Sequence, residues 1–102
     1  MPDDPTHPFP VPPQRVLEVV ADAYSLTVDQ LTGHSRVRLV GEARRVAYQL
    51  LHDESRLSWP GVGQIMNRHH TTGLDAARRA DPEAVDRLRA RIHLNGHQTS
   101  LW

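Results

Sequence analysis

Apolar residues recur at helical spacing along most of the chain. Val16, Leu17, Val20, Ala21 and Tyr24 form one 3.6-residue stripe. Pro12 and Pro13 precede it and suit the entry to a first helix. In "SLTVDQL", Thr27 and Gln30 have the spacing of a capping box. They predict a short helix over 28–32, closed by Gly33. A loop from His34 to Leu39 then leads into a third helix, whose inner row is Val40, Ala43, Val46, Ala47 and Leu50. Ser58 and Pro60 signal another start, and Val62, Ile65 and Met66 give that helix an apolar face. Asn67 to His70 read as a turn. Thr71 or Thr72 opens the next helix, with Leu74, Ala77 and Ala76 inward. Asp81 and Pro82 start a last helix with Val85, Leu88 and Ile92 as its buried row, and Gly96 is its predicted stop. No alternating run predicts a strand. The pattern therefore predicts an all-α bundle of five or six short helices. Two of them, 60–66 and 71–80, are joined by a turn of about four residues, the helix-turn-helix arrangement.

Proline changes this picture only at the start. Residues 1–13, "MPDDPTHPFPVPP", hold six prolines and predict an extended or disordered arm. Residues 14–96 are then one domain and 97–102 a short tail. No apolar run approaches the roughly 18 residues of a membrane span, and the N-terminus lacks the apolar centre of a secretory signal. With no cysteine there are no disulfides and no thiolate metal sites. A cytoplasmic protein is expected, nucleoid-associated or, if viral, in the host cytoplasm.

The formal net charge is zero, but its distribution is uneven. Residues 1–30 carry Arg15 against five carboxylates, a net −4. Residues 31–79 carry eight Arg against four carboxylates, a net +4. All twelve basic residues are Arg, whose planar fork suits phosphate oxygens and guanine edges. A GC-rich genome explains the same bias.

The basic middle contains "NRHHTTGLDAARRA", Asn67 to Ala80. Adjacent histidines point about 100° apart on a helix and chelate poorly, and the zincin spacing is absent. No nucleophile, base and orienter are assembled as a hydrolytic triad. No metal, cofactor or catalytic residue is expected. Helix capping and solvated histidines are one reading of these residues. Recognition is the other. A recognition helix enters the major groove by its N-terminal turn, and His and Thr offer donors, hydroxyls and methyls suited to base edges there.

These residues carry a resemblance. "RHHTTGLDA" resembles the "RDHTTVLHA" signature of the C-terminal DNA-binding domain of the bacterial replication initiator DnaA. "YSLTVDQL" is similar to that family's first-helix end and short second helix. "RVRLVGEARRVAYQL" resembles its basic loop and third helix, and "SWPGVGQI" its "SLPEIG" segment. The segments run in the family's order over about residues 14–80. The resemblance implies a Trp-repressor-like helix-turn-helix bundle that binds double-stranded DNA. It implies a minor-groove role for Arg38, with Arg36 beside it, and phosphate contacts from Arg44 and His52. Cap and backbone contacts fall on Ser58 and Trp59, and base reading on Arg68, His69, His70, Thr71 and Thr72. Arg45 and Arg78 are further expected phosphate contacts. The chain departs from the family at four points. His69 replaces Asp, Gly73 replaces Val, Gly61 replaces the capping-box Glu, and the turn is one residue shorter. No GxxxxGK[ST] loop is present. The implied function is the site-reading domain without the ATPase, as a small replication or transcription regulator, of phage or plasmid type among others. The partners implied are duplex DNA and replication or transcription proteins, with the chain a monomer or weak dimer. Zero net charge and the acidic first 30 residues leave an alternative, a protein-interaction module on the same bundle.

Overall fold

Local chemistry starts most of the helices of this chain. In a computed structural model, which describes residues 10–34, 36–67 and 70–100 and only the backbone at 70–72 and 94–100, six helices follow in order. They are α1 (Pro13–Ala23), α2 (Val28–Thr32), α3 (Arg38–Asp53), α4 (Trp59–Met66), α5 (His70–Arg78) and α6 (Pro82–Ser100). No strand occurs among the described residues. The Thr27–Gln30 capping box forms as expected, with Gln30 N–H donating to Thr27 Oγ1 at 3.1 Å and Thr27 N–H donating to Gln30 Oε1 at 2.8 Å. Ser58 caps α4, and Asp81 Oδ1 accepts from Glu83 N–H at the start of α6.

Helix α3 lies at the centre and touches each of the other five helices. Its row Val40, Ala43, Val46, Ala47 and Leu50 is buried, as the periodicity predicts, and so are Tyr48 and Leu51. The wider buried face follows from that central position, since neighbours cover α3 on more than one side. Val16, Leu17 and Val20 of α1 meet it in one core with Leu31, Val62, Met66, Val85, Leu88 and Ile92. Each such side chain contributes about 1.5–3 kcal/mol relative to exposure.

The structure corrects several expectations. Pro13 is the first residue of α1, and Val11 is tied down. Its N–H donates to Glu54 O at 2.8 Å and its side chain packs on the core. Residues 1–9 lie outside the described residues. Arg38 opens α3 rather than standing in a loop, because Gly41 N–H already bonds Val37 O at 3.1 Å. Ile65 is 36 % exposed, since only the Val62–Met66 row of the short α4 faces inward. Helix α5 covers 70–78 rather than 71–80. Helix α6 runs through Gly96 to Ser100. Glycine stops a helix when it turns left-handed, and no described glycine has positive φ.

Gly33 ends α2 for a different reason. Its backbone is extended, with φ −87° and ψ −156°. A Cβ there would stand 2.8 Å from Asp29 O, so the close approach of the chain to its own helix requires glycine.

Candidate nucleic-acid interface

The α4–α5 unit is built from a cap, a left-handed turn and a small residue. Ser58 Oγ accepts from Gly61 N–H at 3.3 Å, and Pro60 sits in the first turn, where its missing N–H costs nothing. Asn67 ends α4 in the left-handed region, φ 59° and ψ 45°, with its N–H directed to Gln64 O and Gly63 O. Asparagine tolerates that conformation better than most residues. The chain then enters α5 at His70.

The expected base-reading residues fall here. Arg68 and His69 lie outside the described residues. His70, Thr71 and Thr72 form the first turn of α5, where only the backbone is described. Further along, α5 is amphipathic. Gly73 and Ala77 are buried, Leu74 and Ala76 half-buried, and Asp75, Arg78 and Arg79 exposed. The Gly73 position lies against Tyr48 of α3 and Val62 of α4, so α5 rests across both helices.

The arginines divide by environment. Arg36 and Arg78 are exposed. The Arg38 side chain is 93 % exposed and holds Glu42 only at 3.6 Å. Such a pair is worth under about 1 kcal/mol, so the guanidinium is free to exchange it for a phosphate or a groove. Arg45 is half-buried and lines a cleft of about 230 Å³ with Tyr24, Glu42, Val46, Arg79 and Asp81. Burial raises the Tyr24 phenol above its ordinary pKa of 10.0, and nearby Arg87 opposes that shift.

Arg44 and His52 each have partners within the protein. Both are expected at phosphates, and both are held by the protein. Arg44 Nε donates to Leu31 O at 2.8 Å, and Nη2 donates to Gly33 O at 2.7 Å and Gln30 O at 3.1 Å. A guanidinium from α3 thus supplies the cationic C-cap that α2 lacks within itself. His52 Nδ1 lies 2.9 Å from Leu57 O. A carbonyl only accepts, so Nδ1 carries the hydrogen. The imidazole also stacks on Trp59, with centroids 4.0 Å apart and planes 10° from parallel. Ser58 caps as expected, and Trp59 is half-buried.

Sequence reasoning missed one polar cluster entirely. Glu54 is 7 % exposed. Arg89 of α6 donates to Glu54 Oε2 at 2.9 Å and Asp53 Oδ2 at 2.6 Å, and His93 Nε2 lies 2.8 Å from Glu54 Oε1. The partners are 35 or more residues apart, so no spacing rule announces them. Among the described residues no group of three or more His, Asp or Glu side chains has metal-holding geometry, and no helix is long and apolar enough to cross a membrane.

Residues 13–79 match the family described as "Bacterial dnaA protein helix-turn-helix". The chain is 41% identical over 68 residues to the chromosomal replication initiator protein DnaA of Corynebacterium jeikeium, covering 66% of this chain and 12% of that protein. It is 30% identical over 79 residues to the chromosomal replication initiator protein DnaA of Mycobacteroides abscessus, covering 78% of this chain and 16% of that protein. The chain therefore spans less than a fifth of the length of these relatives.

Proposed function

The chain belongs to the bacterial DnaA helix-turn-helix family, a DNA-binding domain, and from that premise we propose that it reads a specific site in double-stranded DNA. The observation that carries this is the α4–α5 unit, with the His70–Thr72 turn at the N-terminus of α5. In a helix-turn-helix that turn enters the major groove. Arg36 and Arg38, at the other end of α3, are exposed, and Arg38 is only loosely held, which suits insertion into a narrow minor groove. Arg78 is exposed on α5 and is assigned to phosphate, a contact that positions without reading sequence. Arg68 and His69 join the reading residues on the strength of the family signature. The proposed role is regulation of replication or transcription through that site, in a chromosomal, phage or plasmid setting, as a monomer or weak dimer. None of these steps involves catalysis, and the 102 residues hold no phosphate-binding loop of the GxxxxGK[ST] type.

Selection of bound sequences from a random duplex library, followed by affinity measurements against salt, tests the reading. One sequence should be enriched, and log K should fall linearly with log salt. Arg38→Ala should weaken binding by at least about tenfold and relax preference for A·T pairs where the groove is narrow. Arg78→Ala should weaken binding to all sequences alike and reduce the salt slope by about one. A protein without enrichment or a steep salt slope uses the bundle for protein contacts instead.

A further inference from the structure

We propose that Trp59 is a positioning residue for α5. Its indole edge lies at contact distance from where a Cβ at position 73 would stand, and His52 holds the indole there. The inference rests on the DNA-binding reading and goes beyond it.

Three distances point to this assignment. A Cβ on Gly73 would meet Trp59 Cε3 at 3.7 Å, Tyr48 Cδ1 at 3.8 Å and Val62 Cγ1 at 3.8 Å. All three are ordinary van der Waals separations, so the pocket around position 73 is filled to the radius of one methyl group. Atoms beyond that Cβ, about 1.5 Å further out, would press on the indole, Tyr48 or Val62 when directed toward them. On its own face the indole is stacked by His52 at 4.0 Å. His52 cannot turn freely, because its Nδ1 is bonded to Leu57 O two residues before Trp59. The stack therefore joins the end of α3 to the start of α4, and the Trp59 edge passes that restraint to the second turn of α5.

Position 73 directly follows Thr72, so a shift of α5 at that point moves the whole groove-facing turn.

A double-mutant cycle between Trp59→Leu and Gly73→Val tests the assignment. The readouts are the ratio of affinities for the selected site and for a scrambled duplex, and thermal unfolding without DNA. Trp59→Leu should lower the affinity ratio about tenfold by letting α5 shift, and Gly73→Val should do so by displacing the indole. The double variant should return to within about threefold of the unmodified protein. That recovery separates positioning from direct recognition, because an indole that itself touched DNA could not be replaced by a methyl-bearing residue at position 73. If Trp59→Leu fails to fold, recovery of cooperative unfolding in the double variant shows the same shared volume. Losses that simply add, in ratio and in unfolding, overturn the proposal while leaving DNA binding intact. An unmodified protein that prefers no duplex over another overturns the DNA reading first, and this one with it.

Discussion

Replacing Arg44 with Ala would leave the carbonyls of Gln30, Leu31 and Gly33 without their charged donor. Hydrogen bonds to a charged group are worth about 1.5–3 kcal/mol, and partial exposure at this site puts the expected loss near the lower end. Thermal unfolding should register it, while the salt slope of DNA binding stays unchanged. A fall in slope with no loss of stability would place Arg44 at a phosphate instead. The same caution governs His69, which stands where the family signature has Asp. A carboxylate only accepts hydrogen bonds and suits the cytosine amino group, whereas an imidazole N–H donates and suits guanine N7 or O6. The selected sites of the wild type and His69→Asp should therefore differ at one base, moving from guanine toward cytosine in the variant. Identical selections would show that His69 reads no base.

At the scale of elements, the residues just before α1 carry more than their composition suggests. Pro12 O accepts from Arg15 N–H at 3.0 Å, Val11 N–H donates to Glu54 O, and the Val11 side chain packs on the core. Removing residues 1–9 should leave thermal unfolding nearly unchanged. Removing residues 1–12 should cost about 1–2 kcal/mol through lost apolar burial, a drop of several degrees for a domain of this size. Circular dichroism on the two truncations decides the point, and equal midpoints would show that Val11 anchors nothing. Helix α4 makes a similar case. Its eight residues present one inward row, so the apolar Ile65 faces out even though its spacing looked right for the core.

For the molecule as a whole, α6 is fastened by polar chemistry as well as by Val85, Leu88 and Ile92. Arg89 holds Asp53 and the buried Glu54 from across the core, and Arg91 pairs with Asp22 of α1. Arg89→Met keeps the length of the stem but takes from Glu54 its guanidinium partner. The expected cost is about 1–3 kcal/mol, because Glu54 is buried while the exposure of Arg89 lets solvent screen part of the loss. Urea unfolding measures it. A neutral result would show that the other partners of Glu54, His93 among them, satisfy it without the guanidinium.

The sequence by itself determined the class of fold and the place of the helix-turn-helix. Both depend on local regularities, namely apolar spacing, the Thr27–Gln30 capping box, the Ser58 and Asp81 caps, and Pro60 in a first turn. The Arg-rich middle and the "RHHTT" run marked the candidate site for the same reason, since the residues that bear its chemistry are neighbours in the chain. Tertiary structure alone decided which distant groups Arg44, Arg89 and Trp59 meet. Arg44 meets carbonyls 11 to 14 residues away, Arg89 meets carboxylates 35 and 36 away, and Trp59 lies against Gly73. A guanidinium or an indole has the same appearance in a sequence whether it faces a phosphate or a helix end. Which of these it meets follows from how the helices cross, and no local spacing carries that information.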